Sequence, residues 1–225
     1  MKSPALHFIA CFGIFFLVAC STMGQGTWVR DPSIAALRGA CQFQPGGIGA
    51  FAGRFYLKIE TSEHSMQFPA TMRFSAAQLS IEVSNILGGE VFRANGTSDR
   101  ISIQSQAYPE LNASNVQNWQ GIPVAWITQL LRGNTICPDE SEWLKAVRDD
   151  TDGSWLIATR GANWSIHLMQ FGTQPRVQSL TYIPKNSTDS IALSVEDFDD
   201  LGRIRRAKVI HQSFSMGWSW KLREN

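Results

Sequence analysis

Apolar and polar side chains alternate along most of the chain from residue 54 onward. Phe55, Leu57 and Ile59 share one face of a strand whose other face includes Arg54, Lys58 and Glu60. The same period of two continues through the apolar positions of residues 66–74, 79–83, 91 and 101–103. This period, interrupted by polar turns, predicts an antiparallel meander. A second meander is predicted from similar runs at residues 155–158, 164–171, 176–182, 191–195, 205–211 and 214–222.

Between the two meanders the apolar period becomes that of a helix. Trp126, Ile127 and Leu130 recur at helical spacing, after Pro123, which suits a first helical turn, and before Gly133, which suits a helix end. Further short helices are predicted over residues 33–38 and 139–148. The fold class predicted from the pattern is mainly β with a helical insert, in a single domain of residues 33–225.

The N-terminus carries an apolar run over residues 8–19, after the single charge of Lys2. The run is shorter than the roughly 20 residues that a membrane span needs, so it predicts a secretory signal peptide of residues 1–19. The signal ends in Leu17-Val18-Ala19-Cys20, which resembles the lipobox of bacterial lipoprotein precursors. Cys20 is then the lipidated first residue of the mature protein, and residues 20–32 are its tether. The alternative is an ordinary export signal in which Cys20 is incidental.

The composition of the mature chain narrows the classes of function. Without residues 1–19 the chain keeps 19 basic and 19 acidic residues, a balance that argues against nucleic acid as a partner and against purely electrostatic membrane binding. All 8 Trp residues and 9 of the 13 Phe residues of the sequence remain after residues 1–19 are removed, and they require extensive apolar burial, either in a core or around an apolar ligand.

Two cysteines, Cys41 and Cys137, remain in the exported domain. In an oxidising compartment a disulfide between them is favoured over two free thiols. The sequence has no Cys-x-x-Cys pair, and it has no motif typical of a serine hydrolase, a metalloprotease, a phosphate-binding loop or a dinucleotide-binding turn. We therefore predict no catalytic residue, metal or cofactor, and no enzymatic activity.

Several short segments, in order, resemble the LolA and LolB group of lipoprotein carriers. They cover residues 53–198 and comprise Gly53-Arg54-Phe55, the turn Ser84-Asn85-Ile86-Leu87-Gly88-Gly89-Glu90-Val91, the helix segments Gly121-Ile122-Pro123-Val124 and Gln129-Leu130-Leu131-Arg132-Gly133, and the strand segments Asn163-Trp164 and Ile191-Ala192-Leu193-Ser194-Val195-Glu196-Asp197-Phe198. The resemblance implies an incomplete antiparallel β-barrel of about 10–12 strands, closed by short α-helices over an apolar cavity.

The resemblance also implies a function, which is to bind acyl chains of lipoproteins or other lipids. Together with the lipid anchor it favours the LolB type, a monomer anchored in the outer membrane of the bacterial envelope and facing the periplasm. Ser21 after the lipidated cysteine agrees with that location. A LolA-like periplasmic shuttle is a candidate partner. The alternative is a structural or scaffold envelope lipoprotein with a packed core and no lipid ligand.

Candidate site residues follow from the same resemblance. The cavity and its helical lid would be lined by Phe55, Phe68, Met72, Phe74, Leu79, Ile81, Trp126, Ile127 and Leu130. Periodicity alone favours a dry, packed core made of the same side chains. Leu87 occupies the position of the family's membrane-inserting leucine, or else it is an ordinary loop leucine tucked against the sheet.

Two departures from the family pattern affect these expectations. Ile86 stands where the family's turn usually has proline, and the chain continues for 27 residues beyond Phe198, where the LolB type usually ends. That continuation predicts one further hairpin, which would complete the barrel or occlude its cavity.

Overall fold

A computed structural model of the chain describes residues 34–45, 49–75 and 78–224. The predicted signal peptide, Cys20 and the tether lie outside these residues. The described part contains two α-helices, α1 (Ile34–Gln42) and α2 (Val124–Leu131). Its strands are β1 (Phe51–Glu60), β2 (Ser65–Ser75), β3 (Gln78–Ser84), β4 (Glu90–Gly96), β5 (Ile101–Ser105), β6 (Ala113–Val116), β7 (Asn118–Trp119), β8 (Ile122–Pro123), β9 (Trp143–Arg148), β10 (Trp155–Thr159), β11 (Ala162–Phe171), β12 (Gln174–Pro184), β13 (Ile191–Phe198), β14 (Ile204–His211) and β15 (Phe214–Glu224).

One antiparallel sheet contains 13 of these strands, where the resemblance implies about 10–12. Their order is β6-β5-β4-β3-β2-β1-β15-β14-β13-β12-β11-β10-β9, and β7 pairs with β8 in a separate small hairpin. The predicted C-terminal hairpin is present as β14–β15. Its last strand pairs with β1 and so joins the two meanders, while β6 and β9 remain the open edges of the sheet.

The helix predicted over residues 139–148 is wrong. This segment forms a short 3-10 turn, Glu140–Glu142, followed by strand β9, which pairs with β10. Ala158 pairs with Lys145 and Thr159 pairs with Trp143, so Leu144 is an extra residue in β9. Because of this extra residue, Trp143 and Ala146 are both buried although they are three positions apart. The β-bulge therefore produced the helix-like spacing that the sequence displays.

The antiparallel order fixes which turns lie together. Alternate turns fall at the same end of the strands, so the turns after β1, β3, β10, β12 and β14 share one end, which we call the upper end. The turns after β4, β9, β11 and β13 lie at the lower end. The two helices cover one face of the sheet, which we call the inner face, and the apolar side chains of the strands point towards them.

Helix α1 packs against β12 through Ile34, Leu37 and Ala40, all buried. A disulfide joins Cys41, in this helix, to Cys137, with the two Cα atoms 5.5 Å apart. The bond ties the N-terminal helix to the segment that follows α2. Neither α1 nor α2 is long and apolar enough to cross a membrane.

Two buried arginines secure the N-terminal region at the lower end. The Arg132 Nη2 donates to the Gly49 carbonyl oxygen at 3.1 Å, and its guanidinium lies 4.5 Å from the Phe74 ring centre. The Arg176 guanidinium lies 3.3 Å from the ring centre of Phe43. Burial lowers the pKa of both groups because a charge is less well solvated inside the protein.

An ion cluster crosses the junction of the two meanders on the outer face. Glu60 on β1 pairs with Lys58 and with Lys208 of β14, each at 2.6 Å, and accepts a 2.8 Å hydrogen bond from the Ser215 hydroxyl of β15. The bond from Lys208 is the largest cause that lowers the pKa of Glu60 to about 2, followed by those from Lys58 and Ser215. One carboxylate thus links the three strands where the meanders meet.

Replacing both Cys41 and Cys137 with Ala should lower the free energy of unfolding by about 2–4 kcal/mol, because the bond closes a long loop in the unfolded chain. The two residues are separated by 96 positions. Urea denaturation of the variant, and of the native protein with and without reductant, measures the effect. Equal midpoints in all of these samples would contradict a stabilising role.

Glu60→Gln should destabilise the protein at neutral pH, and the difference from the native protein should shrink as the pH falls. A carboxyl whose pKa is lowered on folding stabilises the fold above its unfolded pKa, near 4.5, and loses that effect as the pH approaches about 2. Denaturation midpoints across this pH range test the prediction. Glu63→Gln, in the adjacent turn, is the matched control and should leave the midpoint unchanged at both ends of the range.

Candidate functional site

Helix α2 crosses the inner face from the upper end to the lower end. At its start, the Val124 amide donates to the Gln117 carbonyl at 2.8 Å. The turn before the helix contacts His211 at the upper end of β14, since the His211 Nδ1 lies 3.0 Å from the Gln120 carbonyl oxygen. At its end, the Ile204 amide donates to the Gly133 carbonyl at 3.1 Å. The helix is therefore held at both ends, over the inner face along β14.

The side of α2 that faces the sheet is apolar. Ile127 and Leu130 are 2% and 1% exposed. The strand residues predicted to line a cavity lie in the same apolar core, and all but the half-buried Phe68 are fully buried: Phe55, Met72, Phe74, Leu79 and Ile81. Aromatic contacts tighten this core, with the Phe55 ring centre 4.7 Å from that of Trp220 on β15. Within the described residues the structure does not show an open apolar cavity beneath α2.

Two open hollows instead flank α2, with Trp126 on the wall of both. One, of about 450 Å³, lies between α1 and α2 and has Cys41, Cys137 and Gln129 on its walls. The other, of about 630 Å³, opens at the upper end beside the β10–β11 turn, with Arg160 and Asp139 on its rim.

Trp126 is held by two aromatic rings of the sheet. Its ring centre lies 5.5 Å from that of Trp164 and 5.1 Å from that of Tyr182, and these two rings are 4.8 Å apart. Edge-to-face and tilted contacts of this kind stabilise packing by about 0.5–1.5 kcal/mol per pair. The cluster closes the upper end of the sheet over β11 and β12 and leaves the half-buried Trp126 at its border.

Sequence reasoning did not identify Tyr182 as a residue of this cluster. Counted from the tight turn between β11 and β12, Trp164 would lie opposite Thr181. A register shift between His167 and Leu168 adds one residue, Gln178, to β12 and brings Tyr182 opposite Trp164. Alternation alone carries no signal for such a bulge.

The turn between β3 and β4 presents two apolar side chains to solvent at the upper end. Ile86 is 93% exposed and Leu87 is 90% exposed, so Leu87 is not tucked against the sheet. The Asn85 Oδ1 accepts hydrogen bonds from the Leu87 and Gly89 amides, each at 2.9 Å. Gly88 supplies the positive φ of 85° that the turn needs. A rigid turn therefore holds Leu87 away from the protein.

The same turn geometry recurs between β13 and β14 at the lower end. The Asp199 Oδ1 accepts from the amides of Leu201 and Arg203, and Gly202 has a φ of 75°. Leu201 is 61% exposed. The two turns differ in their position on the sheet, since only the Leu87 turn lies at the end where α2 begins.

Comparison with known proteins adds evidence on the fold. The sequence matches no protein-family profile and no curated protein. A DUF1329 family protein from Desulfovibrio piger is similar in structure, with a TM-score of 0.50 and 10% identity over 86% of this chain and 93% of the other.

Two further solved structures align over most of this chain. One is a LolA superfamily protein from Nitrosomonas europaea, with a TM-score of 0.47 and 8% identity over 85% of this chain and 92% of the other. The second is a putative outer membrane lipoprotein-sorting protein domain from Vibrio parahaemolyticus, with a TM-score of 0.41 and 7% identity over 79% of this chain and 86% of the other. The large, open antiparallel sheet of this chain, with helices on one face, is the fold that it shares with the Desulfovibrio piger protein.

Proposed function

We propose that the protein is a lipid-anchored carrier that binds acyl chains of lipoproteins or other lipids under α2 and releases them at a membrane. It would do so without covalent chemistry. The observation that carries the proposal is the position of the Leu87 turn. A rigid turn exposes two large apolar side chains at the same end of the sheet as the hollow beside Trp126.

Apolar burial would drive uptake. Each methylene group removed from water contributes about 0.8 kcal/mol, so a long acyl chain would gain enough to displace side chains of the packed core. Met72 and Met66 on the inner face are flexible and adapt their shape to an irregular ligand. Movement of α2, with Trp126 leaving its aromatic contacts, would open the route.

The orientation of α1 supports an anchor at the same end. Arg38 pairs with Glu140, which precedes the upper end of β9, whereas Phe43 lies on Arg176 at the lower end of β12. The chain therefore enters α1 from the upper side. Cys20 lies 14 positions before Ile34, a length that spans at most about 50 Å. The lipid on Cys20 and the Leu87 turn would then reach the same membrane.

With this anchor the carrier would be a receptor of the LolB type, fixed to the outer membrane and facing the periplasm. A soluble LolA-like shuttle would supply its cargo, and the protein would act as a monomer. The exposed leucine would enter the bilayer and help to transfer the acyl chains, because a rigid apolar side chain is favoured in a lipid environment.

A second candidate is a scaffold lipoprotein without a lipid ligand. The close packing beneath α2 favours it, since Phe55, Met72 and Leu130 are at most 2% exposed. A scaffold would capture a stoichiometric protein partner from envelope membranes, and removal of lipid would not affect that capture.

Uptake of acyl chains is tested with protein that lacks residues 1–19 and carries Cys20→Ser. Incubation with a purified lipoprotein or a fluorescent fatty acid should give a stable one-to-one complex on gel filtration and native mass spectrometry. Because the proposed route opens at Trp126, Trp126→Ala should speed ligand exchange severalfold. No complex with either ligand would exclude the carrier function and leave the scaffold.

Delivery is tested with Leu87→Glu in the lipidated protein. Since Leu87 is 90% exposed, the variant should fold and take up cargo normally, yet transfer of a labelled lipoprotein to vesicles should fall at least tenfold, because a charge resists entry into a bilayer. Leu201→Glu is the matched control, with the same turn geometry at the opposite end, and it should transfer at the native rate. Equal rates for Leu87→Glu and Leu201→Glu would contradict a membrane-directed role for Leu87.

A further inference from the structure

A cationic trough runs along the outer face of the sheet, on the side opposite α2. It has a volume of about 530 Å³, and its floor is formed by Gly217 and Ser219 of β15. Gly217 pairs with Lys58 on one side and with Lys208 on the other, so two long cationic side chains flank a position without a side chain. The hollow results from this difference in side-chain length across three neighbouring strands.

The trough carries excess positive charge. Its walls hold Lys58, Arg206, Lys208 and Lys221, against the two carboxylates Glu60 and Glu196. Glu60 is shared between two lysines, and Glu196 lies 3.9 Å from Arg206. This local excess of two positive charges exceeds the formal net charge of +1 for the whole chain.

Lys221 provides a cation without a carboxylate partner among the described residues. Its Nζ lies 4.2 Å from the ring centre of Tyr56. A register shift opposite Arg54 and Phe55 leaves Lys221 as the extra residue of a bulge. Bulges redirect side chains in this way, and here the result is an exposed ammonium group over an aromatic ring at one end of the trough.

From these features we propose that the trough binds an extended acidic segment of a partner protein. The cations are distributed along two walls instead of converging on one point, which suits several carboxylates in a row more than a single small anion. From Gly217 to Lys221 the floor extends about 13 Å along the strand, the length of four extended residues. A flat lipid surface would meet only the rims of the trough, whereas an extended chain can reach its floor.

The site is independent of the proposed lipid binding, because it lies on the opposite face from α2. The test uses the full chain in mild detergent and a fluorescein-labelled peptide in which Glu alternates with Ser. Fluorescence anisotropy should show saturable binding that weakens as salt is raised, since exposed charge pairs are screened. The same peptide with Gln in place of Glu should not bind.

Two variants locate the binding. Gly217→Gln fills the floor without a change of charge, and its added Cβ would lie 3.4 Å from the Ala207 oxygen, an ordinary contact. It should weaken binding at least tenfold. Lys221→Gln keeps the floor open and should weaken binding about fivefold, the effect of one exposed charge pair. Lys145→Gln, an exposed lysine of β9, is the matched control and should bind the peptide as the native protein does.

Several results would overturn the proposal. These are absence of saturable binding to the Glu peptide, equal binding of the Gln peptide, or equal losses in Lys145→Gln and Lys221→Gln. Binding of anionic vesicles that depends on Lys221 and Gly217, without peptide binding, would assign the trough to a membrane surface instead.

Discussion

The pairing of β1 with β15 is the constraint on which the rest of the structure depends. The first and last strands of the domain lie side by side over nine residue pairs, and this pairing turns two separate meanders into one sheet of 13 strands. Without it, each meander would have an additional open edge. The Trp220 ring lies against both Phe51 and Phe55, so the same junction also contributes to the core.

This junction determines what each face of the sheet can do. On the inner face, α2 runs along β14, next to this junction, from His211 at the upper end to Ile204 at the lower end. On the outer face, the small residues of β15 lie between the lysines of β1 and β14 and produce the cationic trough. The proposed lipid site and the proposed peptide site therefore share a structural origin while facing opposite directions.

Most of the architecture could be predicted from the sequence, because inner and outer positions alternate cleanly in the long strands and the helical spacing around Ile127 and Leu130 is unmistakable. The errors arose at bulges. The extra residue in β9 imitated a helix around Trp143, and the bulge in β12 shifted Tyr182 opposite Trp164. Alternation also could not separate a filled core from a cavity, since both need the same inward side chains. The structure shows these side chains buried, so the proposed ligand would have to displace some of them, such as Met72.

The proposed carrier function requires that an acyl chain enters between α2 and the inner face. A crystal structure of the protein with a fatty acid brominated near the end of its chain tests this most directly, because the anomalous signal of bromine locates the chain. We predict a bromine site beneath Ile127 and Leu130, with Trp126 displaced from Trp164 and Tyr182. A bromine site on the outer face only, or an unchanged core with no bound bromine, would contradict the account.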